Sequence, residues 1–461
     1  MSLKNEKLEK VITFINSSIH SVIEKIDKNG VRGVFVCDED GELLGIVMDS
    51  EIRRAVLRNL DLNATVKTIM RTLPFVINHD VPTEEKKKLL IKSDKILAPI
   101  VDKQKRLVDF MYLPDILGEL FDANGPGNND QDSGVLPPQR VLVVGGAGYI
   151  GSMLVDKLLR MGYKVRILDL LLYGKESIKN LEGEGLEFVR GDCRDEKTVS
   201  QVLDGVGAVV HLGEIVGDPA CKINEPFTID TNYTATHMIV EQCVKSQVSR
   251  FIFSSSCSVY GHNDFEVNEE AALNPISLYA RCKMESEEAI LSHNYNHFCP
   301  TILRLATVHG RSHRQRFDLV VNLLAIKALT EKKIQIFGGD QWRPLVSVSD
   351  VCNGIIQVLH SEGKKVKNQI FNLGDTRENY QLVQIGDIVK EILPEVQVEV
   401  LKSQSDSRNY RVSFKKIKNK LGFTCEYKLL DSVKEIALAY RNEGSFHNYQ
   451  DSQYHNFLSL K

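Results

Sequence analysis

The chain lacks several features that would each have pointed to a function class. Its 461 residues hold nine cysteines, an odd number with no Cys-x-x-Cys pair. That argues against a disulfide framework or a zinc site, so no metal is expected, and for a reducing compartment. No apolar run approaches the ~20 residues needed to span a bilayer. The N-terminus is charged and has no apolar signal core, so a cytoplasmic location is expected. The formal net charge is only −3, which gives no electrostatic case for nucleic acid or a membrane surface as a partner. Tryptophan occurs once, at Trp342. What remains is a hydrophobic content of 43% and a charged content of 26%, ordinary for a soluble globular protein. The length implies more than one domain.

Residues 123–139 are rich in Gly, Pro, Asn and Asp, which favour turns and bury little, and they read as a linker. Before them, residues 1–122 contain a rough duplication. Each half is an amphipathic helix (19–28 and 83–91) followed by strand, acidic or polar turn, strand and helix. After the linker, apolar strands at 141–144, 164–168, 208–212 and 251–254 alternate with helical stretches. That alternation predicts parallel βαβ units in a doubly wound α/β sheet whose strands are buried on both faces. From about residue 310 the elements become shorter and mixed with basic and aromatic residues, as suits a smaller substrate lobe. Residues 442–461 form a polar tail with several aromatics, either disordered or docked on a neighbour.

The chemistry starts at Gly145-x-x-Gly148-x-x-Gly151, which follows an apolar strand and opens a helix through Tyr149 and Ile150. Such a turn lets bare backbone approach a pyrophosphate at a helix N-terminus. Asp169, 18 positions past the third glycine, is placed to accept ribose hydroxyls and to repel a 2′-phosphate, so NAD is favoured over NADP. Asp192 and Cys193 follow the third strand-like run, and Leu212 and Gly213 follow the fourth; both pairs are placed near the cofactor. Further on come Ser256 and Tyr279-x-x-x-Lys283. A tyrosine is a poor base at neutral pH unless its phenolate is stabilised. Lys283, one helical turn on, is positioned to supply that charge. Ser256 would hydrogen-bond the reacting oxygen, with Ser258 as the alternative.

On these residues, with Asn232, Arg304 to Gly310 and Trp342-Arg343-Pro344, residues 139–440 resemble the extended short-chain dehydrogenase/reductases, in particular their nucleotide-sugar epimerase and dehydratase branch. The resemblance implies a Rossmann-type sheet over 140–441 and tightly held NAD. It also implies a nucleoside-diphosphate-sugar substrate with Arg343 and Arg408 at its diphosphate. Dehydratases of this branch carry an Asp-Glu pair near Ser256-Cys257. No carboxylate lies between Ser254 and Gly261, so C4 epimerisation through a 4-keto sugar is expected. A 4-ketoreductase or other NAD-dependent dehydrogenase is the alternative, and a regulator with an inactive enzyme fold is the non-enzymatic one. Glu214 stands where a small residue is usual, either as an acid/base in the cleft or as a solvent-facing carboxylate.

The first segment, through Gly45-Ile-Val-Met-Asp-Ser-Glu-Ile-Arg-Arg-Ala and Thr68-Ile-Met-Arg-x-x-Pro, resembles a pair of CBS domains, a Bateman module. Such pairs commonly bind AMP, ADP or ATP. Their hydroxyl-x-x-Asp signature is lost here, and the copies read Met48-Asp-Ser-Glu51 and Met111-Tyr-Leu-Pro-Asp115. Glu51 and Asp115 are therefore the candidate ribose contacts of a nucleotide regulatory site. A ligand-free dimerising module is the other reading. Both resemblances imply a homo-oligomer, dimer or tetramer.

Overall fold

The computed structural model describes residues 6–29, 31, 33–57, 60–72, 74–92, 97–112, 140–179, 181, 185–401 and 408–460. The expected linker, 123–139, lies outside them. Two compact units result, Met1–Gln131 and Asp132–Lys461. No helix among the described residues is long and apolar enough to cross a membrane.

In the first unit the duplication is visible. Ile12–Phe14 pairs in parallel with Gly33–Cys37, which pairs antiparallel with Leu43–Met48. The second half repeats this with Ile77–Asn78, Leu97–Val101 and Leu107–Tyr112. Alternation along Gly33–Cys37 sends Phe35 and Cys37 into one core and Val34 and Val36 into another. The strand is therefore apolar at nearly every position because both its faces are covered.

The second unit is built on a seven-stranded parallel sheet. In chain order the strands are β1 (Arg140–Val144), β2 (Lys164–Asp169), β3 (Leu186–Arg190), β4 (Ala208–His211), β5 (Arg250–Ser256), β6 (Cys299–Leu305) and β7 (Gln369–Leu373). Their spatial order is β3-β2-β1-β4-β5-β6-β7. The order reverses between β1 and β4, which leaves a crevice beyond the carboxyl ends of those strands, the usual ligand position in open α/β sheets. Short sheets form the smaller lobe; one pairs Thr307–His309 with Trp342–Ser347 and Asn379–Gln381. The last residues, whose placement the sequence leaves open, pack on their own chain. The Phe317 ring lies 5.2, 6.0 and 5.5 Å from the rings of Phe446, Tyr449 and Tyr454.

Candidate active site

One cavity of about 500 Å³ opens at the carboxyl ends of the central strands. It is lined by the cofactor, catalytic and diphosphate residues Gly145, Gly148, Tyr149, Ile150, Gly151, Asp169, Asp192, Cys193, Leu212, Gly213, Ser256, Ser258, Tyr279, Lys283, Arg343 and Arg408, and not by Asn232 or His309.

The chain leaves β1 and must turn at once into the helix Tyr149–Arg160. Gly145 makes that turn at a φ of +81°, in the left-handed region. A Cβ on Gly151 would stand 2.2 Å from the Gly145 carbonyl oxygen, so no side chain is tolerated there. The result is bare backbone at a helix N-terminus, a cradle that fits a pyrophosphate. Asp169 braces it: one carboxylate oxygen accepts the Ala147 N–H at 2.9 Å and the other the Leu171 N–H at 2.7 Å. Burial outweighs those bonds and raises the Asp169 carboxyl above its ordinary value. Asp192 is forked by Arg194, at 2.5 Å for the closest contact, which holds its carboxyl below the usual range. Burial pushes the Cys193 thiol up to about 12.

Ser277 caps the helix Leu278–Leu291, accepting the Ala280 N–H at 3.2 Å. Tyr279 and Lys283 then fall on one face of that helix. The Tyr279 phenol and the Ser256 hydroxyl both line the cavity, close enough that Ser256 pulls the phenol down. Ser256 accepts the Ser258 N–H at 3.1 Å, and the Ser258 hydroxyl has no partner among the described residues.

The charge balance around the phenol differs from the expectation that Lys283 acidifies it. The Lys283 ammonium forms a buried ion pair with Glu214 and donates to the Ser254 carbonyl. It lies 4.5 Å from the Phe253 ring centre and 5.8 Å from that of Tyr279. Burial first, and Glu214 second, push the Tyr279 phenol well above its ordinary value, against the pull of Ser256. Burial likewise raises the Glu214 carboxyl, even beside an ammonium. Glu214 thus faces the cavity, held by Lys283 and by the Thr236 hydroxyl, which donates to it at 3.5 Å. Asn232, in a π-helical turn spanning Asp230–Thr234, accepts the Ile215 N–H at 2.8 Å and donates to the Ile215 carbonyl at 2.7 Å.

At the far end, Arg343 donates to the Trp342 and Arg408 carbonyls at 2.7 and 2.6 Å, and Arg408 pairs with Asp218 at 3.0 Å. Arg304 and His309 stand outside the cavity lining. Arg304 is spent on Glu287 at 2.6 Å, and burial takes the His309 imidazole down to about 3. Sequence reasoning missed Tyr173, Phe227, Asn456 and Phe457 as lining residues. They come from loops, a helix and the tail, and carry no motif. In the first unit, Glu51 accepts the Met48 N–H at 3.0 Å and lies 3.2 Å from Arg71, so its carboxylate is already engaged. Asp115 lies outside the described residues.

Comparison with known proteins agrees with this geometry. Residues 141–374 match the NAD dependent epimerase/dehydratase family, and residues 10–58 match the CBS domain. A provisionally assigned UDP-glucose 4-epimerase of Methanocaldococcus jannaschii is 31% identical over 304 residues, 64% of this chain and 96% of that protein. The crystal structure of a Thermotoga maritima UDP-glucose 4-epimerase with UDP-glucose is similar at a TM-score of 0.60 and 27% identity. That match covers 66% of this chain and 100% of the other. A Bacillus cereus UDP-glucuronic acid 4-epimerase with UDP-glucuronic acid and NAD gives a TM-score of 0.59 at 26% identity, covering 65% and 100% of the two chains.

Proposed function

Because the chain belongs to the NAD-dependent epimerase/dehydratase family, we propose that it is a nucleoside-diphosphate-sugar 4-epimerase using resident NAD. The observation that carries the reading is that Ser256, Tyr279 and Lys283 line the same cavity as the glycine cradle and Asp169. Gly145, Gly151 and Asp169 would hold the dinucleotide. When bound, NAD supplies the acceptor for the hydride leaving C4 and returns it to the other face, so no net redox occurs. Tyr279 takes the proton of the 4-hydroxyl and later gives it back, and Ser256 orients that oxygen. Arg343 and Arg408 are proposed to face the substrate diphosphate.

Two features favour epimerisation over dehydration. The segment after β5 brings no carboxylate to the cavity, and Cys257 turns its thiol to the Arg304 carbonyl at 3.3 Å. Water elimination needs an acid at that place. The CBS region is proposed to bind AMP, ADP or ATP and so adjust turnover.

The test is to incubate purified protein with UDP-, GDP-, CDP- and dTDP-sugars and follow the 4-position by NMR. Epimerisation without added cofactor and without net change in nicotinamide absorbance is the expected result. Turnover that consumes NAD(H) stoichiometrically would instead identify a ketoreductase or dehydrogenase. Tyr279→Phe is expected to remove turnover while NAD stays bound.

A further inference from the structure

In the basic run Arg311–Arg316, which from sequence could meet the diphosphate or simply lie on a loop, the cavity has a buried cation that forms no ion pair among the described residues. Arg314 lines it from the loop between Thr307–His309 and the helix Val320–Thr330. The residue is only 6% exposed, and its Nε and Nη2 groups have no hydrogen-bond partner among the described residues. Its one directed contact is from Nη1 to the Asn456 side-chain carbonyl, at 2.7 Å, and its guanidinium sits 4.1 Å from the Tyr173 ring centre. Tyr173 itself has a buried, unpartnered hydroxyl. Unanswered donors on a buried guanidinium are costly, so this arrangement is poised for an anion. Burial already pulls Arg314 down to about 10.

Its location says which anion. Two residues earlier, Ser312 donates to the Tyr149 carbonyl at 2.6 Å and reaches the Ser152 hydroxyl at 3.4 Å. Tyr149 donates in turn to the Gly310 carbonyl at 2.7 Å. The loop is thus latched to the first turn of the helix that follows the glycine cradle. Arg314 also feels the Asp169 carboxylate. It stands at the dinucleotide end of the cavity.

Its support comes from the opposite end of the chain. Asn456 is 1% exposed; its N–H donates to Asp318 at 3.1 Å and its amide to the Val216 carbonyl at 3.2 Å. The aromatic cage around Phe317 holds that segment down, with the Phe317 N–H on the Tyr454 carbonyl at 2.9 Å. We propose that Arg314 is a ligand of the cofactor's phosphate groups, aimed by Asn456, so that the C-terminal segment governs how firmly the dinucleotide is retained. This rests on the reading of the cavity as a dinucleotide site. Tyr173 is the side chain that yields to admit the phosphate.

The experiment uses the full-length chain, stripped of cofactor, titrated separately with NAD, NADP and UDP. Wild type should bind NAD tightly, and Arg314→Gln should weaken NAD at least about tenfold with UDP affinity and ligand-free Tm unchanged. Asn456→Ala keeps the arginine but removes its aim, and it should release NAD faster during gel filtration. That variant carries the test if Arg314→Gln does not fold. Unchanged NAD affinity and release in both variants overturns the proposal alone. So does a loss confined to UDP, which would make Arg314 a substrate ligand. A wild-type preference for NADP that Arg314→Gln removes also overturns it, because the anion would then be a 2′-phosphate. Wild type that binds neither dinucleotide overturns both this proposal and the reading beneath it.

Discussion

Glu214 and Lys283 meet as a buried ion pair one helical turn from the phenol of Tyr279, their side chains 1% and 4% exposed. The lysine that the motif offers for stabilising a phenolate is therefore shared with a carboxylate. The carboxylate raises the phenol where the ammonium would lower it. A base of this kind works only once deprotonated, so activity should rise with pH through the Tyr279 ionisation. Glu214→Gln removes the opposing negative charge and leaves Lys283 unneutralised. The rising limb of the kcat/KM–pH profile should move to lower pH, by about one unit for a charge at this range. An unmoved limb, or a shift to higher pH, would show that Glu214 does not act on the phenol.

The cradle makes a sharper steric prediction. Gly151→Ala would place a methyl group 2.2 Å from the Gly145 carbonyl oxygen, a contact with rigid backbone. The turn must open, and copurified NAD should be lost. The ratio of nucleotide to protein absorbance after gel filtration reports this directly, and full retention would count against the cradle as the pyrophosphate site.

Arg343 and Arg408 are expected to act at the substrate end. Arg408→Ala should raise KM for the active nucleotide sugar about tenfold, with a smaller change in kcat, and leave NAD retention intact. A variant that loses NAD but keeps its KM would place the two ends of the cavity the other way round.

Arg304 and Glu287 serve the fold. Both side chains are 3% exposed and bridge at 2.6 Å, with Ser255 donating to the same carboxylate and Arg304 donating to Tyr260 at 3.0 Å. Glu287→Ala strands a buried guanidinium and should cost about 3–5 kcal/mol of unfolding free energy in urea titration. Arg304→Met combined with Glu287→Leu should recover much of it. A loss below about 1 kcal/mol for the single variant would mean that water reaches the site.

In the first unit, Glu51 bridges the Met48 N–H and Arg71. Glu51→Ala should lower the melting temperature of the protein. Titrating AMP, ADP and ATP against turnover tests the proposed regulation separately; no change in rate or assembly leaves this unit a scaffold.

The reading from sequence succeeded where the requirement is local. A glycine is needed wherever a Cβ would strike backbone, as at Gly151, and that need shows in a single residue type. Tyr279 and Lys283 are neighbours because a helix brings positions four apart to one face. The tail was illegible for the opposite reason. Nothing in a run of Asn, Tyr and Phe says that Phe446, Tyr449 and Tyr454 will enclose Phe317. Glu214 was legible as an unusual residue, but its direction was not, because it is set by Thr236 and Lys283, 22 and 69 residues further along the chain.

The amino-acid order by itself determined the parallel sheet, the glycine turn before the helix and the pairing of Tyr279 with Lys283 on one helix face, since each follows from periodicity and from sterics within one turn or one strand. Tertiary structure decided which charges share the interior. It seated Lys283 against Glu214 and aimed Arg314 with Asn456, a residue 142 positions later. Electrostatic strength depends on distance and on exclusion of water, and both are settled only when remote segments pack.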